Sequence, residues 1–176
     1  LFQMHDNYGQ VDGYIKYLLN DIVKNVSQLI IVCNGEMSEQ GLEDLKKYSD
    51  SVYIRENKGF DAKAFQYLLL EKVSLEELKT YDELLIFNDT FYGPFYPLKI
   101  VFDKMTTMDC DFWGLTEHYD FTKYPHHIQS YFLTIRKSLF LADSFFEYWR
   151  TIPEEISEFD SLVMNYEVRF TQFFEN

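Results

Sequence analysis

Two apolar runs of this chain each end at polar, acidic and glycine residues, a pattern that suits a ligand-binding edge. The run YDELLIFNDTFYGPF, residues 81–95, places Asp89 after an apolar stretch, and IRENKGFDAKAF, residues 54–65, places Glu56 and Asp61 after another. A buried strand of an α/β sheet delivers ligand-binding side chains at the point where it ends. Carboxylates there can hold a divalent cation, which in turn attracts phosphate groups. The two segments therefore predict one shared site and leave open a phosphate-bearing small molecule as its ligand.

The charge balance argues against one class of partner. Lys and Arg number 16 against 29 Asp and Glu, so the net charge is −13 at pH 7. Binding to the phosphate backbone of a nucleic acid depends on cationic side chains, which are outnumbered here. We therefore expect no nucleic-acid partner.

Length and composition indicate one domain with a sizeable core. The chain has 176 residues, of which 47% are hydrophobic and 19% aromatic, and this length is typical of a single domain. It begins at Leu1 rather than at a methionine, and we expect a fragment of a longer chain. No apolar stretch approaches the roughly 20 residues of a membrane span, and no signal-peptide pattern is seen. We predict a cytoplasmic protein, which would associate peripherally with the inner face of the membrane only through the rest of its parent.

Strand and helix patterns alternate along the chain. Strands are predicted in SQLIIVCNG, SVYIRE, ELLIFND and DFWGLT, with helices between them and towards the C-terminus. This order on short connections predicts an α/β fold, Rossmann-like, with a mostly parallel central sheet and helices on both faces. Asn34, Glu56, Asp89 and Thr116 would then lie at the carboxyl edge of the sheet.

Four segments resemble those of a known family. IRENKGFDAKAF, LLIFNDTFYGP, DFWGLTE and HIQSYF, in that order and spacing, closely resemble the rhamnan-synthesis F family, glycosyltransferase-like proteins of bacterial cell-surface polysaccharide assembly. More distantly, ENKGF followed by a strand that ends in aspartate is similar to GT-A glycosyltransferases, which use nucleotide-sugar donors. The resemblance implies a single GT-A-like domain over residues 1–176. It also implies inverting hexosyl transfer from a dTDP- or UDP-sugar to a glycan or lipid-linked glycan acceptor, and the family's name suggests rhamnose as the sugar.

The resemblance also implies a metal site. In the GT-A fold a strand-end motif, usually Asp-x-Asp, holds a divalent metal ion against the donor pyrophosphate, and this chain has Asn88-Asp89-Thr90 instead. Asp89 is the implied metal ligand, with magnesium or manganese as the ion, because hard cations accept carboxylate and weaker oxygen ligands. Two alternatives stay open. Asp89 caps the turn after its strand, or the site is degenerate and the domain is a non-catalytic glycan- or nucleotide-binding module.

Donor-binding residues are implied in three segments of the chain. Gly59 would let the backbone approach the ligand, and Tyr92 would stack on a base or a sugar ring. His5 and Asp6 would follow the first strand, where GT-A domains contact the nucleoside. The donor-binding set is His5, Asp6, Glu56, Asn57, Gly59, Asp61, Asn88 and Tyr92. Two structural roles are the alternatives to donor binding: Asp61 would cap a helix, and His5-Asp6 would form a surface turn.

An inverting transfer needs a base that takes the proton of the acceptor hydroxyl. Glu167 in NYEVRFTQF is the candidate, because it corresponds to the acidic residue near the start of the last helix in inverting GT-A enzymes. The alternative is a solvated helix glutamate.

The segment HHIQSYF is expected to contact the acceptor. If it is one strand, successive side chains point to opposite faces, so His127 and Gln129 share a face, while His126 and Ser130 share the other. We therefore predict His127 and Gln129 as the acceptor-binding pair. Other catalytic classes have less support, because the chain contains no GxSxG elbow, no GxxxxGK[ST] loop and no GxGxxG fingerprint.

Overall fold

The computed structural model describes residues 1–119 and 122–175. Within them lie eight strands: β1 Phe2–Met4, β2 Ile30–Asn34, β3 Ser51–Arg55, β4 Glu83–Asn88, β5 Phe112–Gly114, β6 Glu117–His118, β7 His127–Ile128 and β8 Phe132–Arg136. The same residues form nine α-helices: α1 Gly13–Ile22, α2 Glu39–Lys46, α3 Phe60–Tyr67, α4 Leu75–Leu78, α5 Lys99–Met105, α6 Lys137–Phe140, α7 Asp143–Arg150, α8 Phe159–Leu162 and α9 Arg169–Phe174. Two π-helical segments, Leu68–Lys72 and Val163–Val168, extend α3 and join α8 to α9. None of these described helices is long and apolar enough to cross a membrane.

Six strands form one mixed sheet in the order β3-β2-β1-β4-β8-β5. Strands β1 to β4 are parallel, as predicted, whereas β8 runs antiparallel to both β4 and β5. Helices connect β1 to β2, β2 to β3 and β3 to β4, but only the short β6–β7 hairpin lies between β5 and β8. A connection without a crossover helix returns the chain in the opposite direction. The α/β prediction is therefore confirmed, with one antiparallel strand inserted into the sheet.

Helices cover both faces of the sheet, as predicted. In β2, Ile30 and Val32 join a core with α3, α4 and the C-terminal helices, whereas Ile31 and Cys33 join a second core with α1, α2 and α5. Every residue of β2 is buried, because a strand covered on both faces has no solvent side.

The HHIQSYF segment departs from the prediction. His127 belongs to β7, which pairs with β6, whereas the strand β8 of the main sheet begins only at Phe132. The chain turns through residues 129–131 between them, so the alternation of faces does not continue across the segment. The prediction that His127 and Gln129 share a strand face opposite Ser130 is therefore wrong.

Side-chain capping explains the start of helix α2 but not that of α3. Ser38 caps α2 by accepting a 3.0 Å hydrogen bond from the backbone N–H of Gly41. Helix α3 instead begins after Gly59, whose φ of 71° is left-handed, and Asp61 lies inside its first turn. Asp61 is therefore not the residue that precedes the helix, but its Oδ1 accepts a 2.9 Å hydrogen bond from the backbone N–H of Ala62 in that turn. Its other oxygen, Oδ2, is used elsewhere.

The carboxyl ends of the parallel strands meet at one edge. The strand order reverses between β1 and β4, because β2 and β3 extend the sheet on one side of β1 and β4 lies on the other. Such a switch point leaves a crevice beyond the strand ends, which is where open α/β sheets bind ligands. The start of the antiparallel β8 lies at the same edge, since Phe87 at the end of β4 is paired with Phe132.

Candidate functional site

His5 and Asp89 meet at the switch point. The backbone N–H of His5, which follows β1, donates a 2.7 Å hydrogen bond to Oδ2 of Asp89, which follows β4. The Asp89 carbonyl accepts a 3.0 Å hydrogen bond from the Tyr14 hydroxyl. Burial raises the pKa of the Asp89 carboxyl, although the hydrogen bond from His5 opposes this shift. Asp89 is thus held in the crevice with one carboxylate oxygen bonded to the protein.

The His5 ring links the ends of three parallel strands. Its Nδ1 lies 2.6 Å from the Asn34 carbonyl at the end of β2, and its Nε2 lies 3.2 Å from the Asn57 amide nitrogen after β3. A carbonyl oxygen only accepts a hydrogen bond, so Nδ1 is the donor in the contact with Asn34. Gly35 lies beside the ring with φ of 95°. The predicted donor residues His5 and Asn57 are thus brought together.

Arg55, which was not among the predicted site residues, provides a cationic group at the same edge of the sheet. Its guanidinium donates to Oδ1 of Asn34 at 2.7 Å and to the carbonyl of Lys58 at 3.0 Å. Partial burial lowers its pKa, yet an arginine remains charged in proteins. A charged residue at the end of a parallel strand was the signal that could have identified it.

Asn34 also fixes the loop before α3. Its amide donates a 2.8 Å hydrogen bond to the carbonyl of Phe60, which has a left-handed φ of 55°. A bulky residue in that region is strained by on the order of 1–3 kcal/mol and persists only where its surroundings hold it. The loop carrying Asn57 and Gly59 is therefore held in one conformation beside the crevice.

Asp61 and Asn88 form a buried polar pair beneath the crevice. Asp61 is only 6% exposed, and its Oδ2 accepts a 2.8 Å hydrogen bond from the Asn88 amide. Burial raises the pKa of the Asp61 carboxyl to about 6; the hydrogen bond from Asn88 opposes the rise, and the negative charge of Glu167 adds to it. The structure thus brings two predicted donor residues together and places Glu167 within their electrostatic reach.

Asn88, not Asp89, stabilises the turn after β4. Its Oδ1 accepts hydrogen bonds from the backbone N–H of Thr90 at 3.1 Å and from the Thr90 hydroxyl at 2.6 Å. The turn-cap alternative for Asp89 is therefore wrong, because its side chain bonds to His5 instead. Both ends of the Asn88 amide are engaged within the protein.

Glu167 lies in the π-helical segment Val163–Val168, in the middle of the last helical stretch rather than near its start as predicted. Its side chain is 17% exposed, so the solvated-glutamate alternative is wrong. Oε1 accepts a 2.8 Å hydrogen bond from the Ser130 hydroxyl, and Oε2 lies 3.3 Å from Nε2 of His127. Burial raises the pKa of Glu167, and the hydrogen bonds from Ser130 oppose the rise. Burial therefore makes this carboxylate more basic than that of an exposed glutamate.

The remaining predicted contacts lie around this centre. Tyr92 is 70% exposed and stacks on Tyr14, with ring centroids 4.6 Å apart. Gln129 accepts a 2.7 Å hydrogen bond from the Thr116 hydroxyl. Tyr92 therefore offers an open aromatic face next to Asp89, whereas the Gln129 side chain is engaged with the chain that follows β5.

Two predicted donor residues have local partners. The Asp6 carboxylate accepts hydrogen bonds from the backbone N–H groups of Tyr8 and Gln10, at 2.9 and 2.8 Å, so the turn alternative describes its observed contacts. Glu56 is exposed and pairs with Lys58 at 2.7 Å. Neither carboxylate contacts the Asp89 or Glu167 side chain through these bonds.

The protein ligands for a metal ion are few. In residues 1–119 and 122–175, no three His, Cys, Asp or Glu side chains form a group that could hold a metal ion. Asp89 offers one carboxylate, partly used by His5. Such a donor set fits only an ion that takes most of its ligands from water and substrate phosphates, as Mg²⁺ commonly does.

Comparison with known proteins places the chain in a family. The sequence pattern described as Rhamnan synthesis protein F matches residues 29–176. The chain belongs to this family. The predicted resemblance is confirmed.

A relative covers most of the chain. The uncharacterized protein y4gN of Sinorhizobium fredii (strain NBRC 101917 / NGR234) is 26% identical over 151 residues, which make up 84% of this chain and 38% of y4gN. The chain therefore spans well under half the length of that relative. No solved structure matches the chain significantly.

Proposed function

We propose that this domain is an inverting glycosyltransferase that moves a sugar from a nucleotide-sugar to a hydroxyl of a cell-surface polysaccharide acceptor. The observation that carries the proposal is Glu167, a largely buried carboxylate held by Ser130 beside the carboxyl edge of the sheet. Burial raises its pKa, and a more basic carboxylate is a better general base. Glu167 takes the acceptor proton, the acceptor oxygen attacks the sugar carbon, and the nucleoside diphosphate leaves.

The donor side of the proposed site is the crevice between β1 and β4. Tyr92 presents an exposed ring for a nucleobase, since flat bases stack on aromatic faces. The Arg55 guanidinium lies in the strand-end network of His5 and Asn34. A fixed cation near a leaving diphosphate stabilises the negative charge that develops there.

Magnesium or manganese remains part of the proposal as a partner of the donor diphosphate, with Asp89 as its protein ligand. A bound ion would stabilise charge on the leaving diphosphate. The sugar is proposed to be rhamnose on the family's name alone, carried by dTDP or UDP, with a glycan or lipid-linked glycan as acceptor.

A transfer assay with matched glutamate variants tests the enzyme proposal. The chain is incubated with dTDP-rhamnose or UDP-sugars, Mg²⁺ or Mn²⁺ and rhamnan oligosaccharides, and mass spectrometry detects the lengthened glycan. We expect Glu167→Gln to lose at least about 100-fold in rate, the typical contribution of a general base. Glu155→Gln, at an exposed glutamate, serves as the control and should retain the wild-type rate. Full activity of a folded Glu167→Gln variant contradicts the proposed role.

The absence of a three-ligand metal group among the described residues favours a second candidate, a nucleotide- or glycan-binding module without turnover. Calorimetry with dTDP, UDP and rhamnan oligosaccharides separates the two proposals. Binding of a nucleotide or glycan supports the module if no sugar is transferred either with or without Mg²⁺ or Mn²⁺. Transfer that depends on Glu167 supports the enzyme.

A further inference from the structure

His127 is a buried histidine whose two ring nitrogens both face oxygen atoms. The side chain is 2% exposed. Its Nδ1 lies 2.7 Å from the carbonyl oxygen of Pro125, and its Nε2 lies 3.3 Å from Oε2 of Glu167. A carbonyl oxygen can only accept, so Nδ1 carries a hydrogen.

Because Nδ1 carries a hydrogen, only two protonation states allow a proton to lie between Nε2 and Oε2 of Glu167. Either the ring is an imidazolium that donates to a carboxylate, or a neutral ring accepts from a protonated carboxyl. Both states contain one more proton than a neutral ring beside a carboxylate. In that last state a lone pair of Nε2 faces a negative oxygen without a proton between them, which is unfavourable in a buried place.

Ser130 makes this relation specific to one oxygen of the carboxyl group. Its hydroxyl donates to Oε1 of Glu167 at 2.8 Å, which leaves Oε2 towards His127. Ser130 lies within the turn through residues 129–131, His127 precedes that turn, and Glu167 comes from the π-helical segment. Oε1 of Glu167 is therefore hydrogen-bonded to Ser130, and Oε2 is the oxygen that lies against the His127 ring.

We propose that His127 and Glu167 share a single proton, and that His127 is a positioning residue which determines when Glu167 becomes free to act as a base. The shared proton follows from the contacts of the two side chains. Its importance for sugar transfer rests on the function proposed above.

Several titratable groups face the pair and modify its proton affinity. The ring of His118 stacks on that of His127, with centroids 5.0 Å apart. The other groups are Tyr124, His126, Asp61, Tyr148 and Tyr166. The neighbouring histidines disfavour an imidazolium at His127, and burial also lowers the pKa of its ring while it raises that of Glu167. These influences favour the form in which the carboxyl carries the proton and the ring stays neutral.

Nuclear magnetic resonance tests the shared proton without any need for turnover. Histidine side chains are labelled with ¹⁵N and glutamate carboxyls with ¹³C, and their resonances are followed over about pH 5 to 9. We expect His127 and Glu167 to change at one common midpoint in the wild-type chain. In Glu167→Gln the ring should remain neutral with hydrogen on Nδ1 throughout, because the new amide donates to Nε2. Two separate midpoints, each unaffected by substitution of the other residue, overturn the shared proton.

The pH dependence of transfer tests the positioning role. His127→Gln should move the acidic limb of the rate profile, whereas Glu155→Gln, at an exposed glutamate that does not face the pair, should leave it in place. An unmoved limb in a folded His127→Gln variant overturns the positioning role. If His127→Gln does not fold, the resonances of Glu167→Gln still decide on the shared proton. If His127 and Glu167 titrate with a common midpoint but the chain transfers no sugar, the shared proton is supported and the proposed function is contradicted.

Discussion

The backbone N–H of His5 and the carboxylate of Asp89 join the ends of two adjacent parallel strands, at 2.7 Å. These two strands flank the switch point of the sheet, so the hydrogen bond closes the bottom of the crevice. It also uses one oxygen of the carboxylate that the sequence predicts as the metal ligand. The contact therefore combines a structural role with an expected ligand-binding role in one side chain.

Asp89→Asn separates these roles. The amide oxygen of asparagine can still accept from His5, so we expect the free energy of unfolding to change by less than about 1 kcal/mol. Loss of the charge should weaken metal-dependent binding of dTDP or UDP by about tenfold or more, because hydrogen bonds and contacts to charged groups contribute roughly 1.5–3 kcal/mol. Calorimetry measures the affinity. Asp109→Asn, at an exposed aspartate before β5, is the control, and equal weakening by both variants contradicts the assignment.

The buried carboxyl of Asp61 should make folding stability depend on pH. Its pKa of about 6 in the folded chain exceeds the model-compound value of 3.8, so the folded state binds the proton more tightly than the unfolded state. The free energy of unfolding should therefore fall as pH rises from about 4 to about 6, by up to about 3 kcal/mol from this group. Urea unfolding at several pH values measures the slope.

Asp61→Asn removes that group. Its slope over this pH range should be flatter than that of the wild-type chain. The comparison matters because burial also raises the pKa of Asp89 and Glu167, and their contributions remain in both proteins. Equal slopes would show that Asp61 does not titrate in this range.

Two glycines at helix beginnings should respond oppositely to alanine. A Cβ at Gly41 in α2 would collide with the carbonyl oxygen of Gly9, in the loop that follows β1, whereas a Cβ at Gly13 in α1 meets nothing within 4 Å. We expect Gly41→Ala to destabilise the fold, since the loop carrying His5 and Asp6 packs on this helix. Gly13→Ala should be neutral or stabilising by up to about 1 kcal/mol, from helix propensity. Thermal unfolding midpoints check both, and similar shifts for the two variants would contradict the packing argument.

Tyr92 should contribute to nucleotide binding but little to folding. Its ring is mostly exposed and stacks on Tyr14, so Tyr92→Ala should weaken binding by about three- to tenfold, the equivalent of one aromatic stack. Tyr92→Phe should retain binding because the aromatic face is kept. Phe95→Ala, at a more exposed aromatic residue of the same loop, is the matched control. Calorimetry that finds equal losses for Tyr92→Ala and Phe95→Ala would assign the effect to the loop as a whole.

Local patterns predicted much of the fold. The buried β2 strand and the strand end at Asn88 both follow from the spacing of apolar residues. The neighbourhood of His5, Asn57 and Asp89 was also predicted, because the carboxyl ends of parallel strands share an edge whatever the details of packing. These features depend on short stretches of chain, which a single sequence displays directly.

Tertiary structure alone decided the reversed direction of β8, the bond between Asp61 and Asn88, and the contact of His127 with Glu167. Each of these joins segments far apart in the chain, so their meeting depends on how the whole sheet and its helices pack. The turn through residues 129–131 is one example, since it ends the alternation of faces that a strand pattern implies. By itself, the sequence determined which residue types reach the edge of the sheet. The spacing of apolar residues is a local property, and it sets where each strand ends and which face each side chain occupies. Which of them became partners was decided by packing, because distance along the chain carries no information about distance in space.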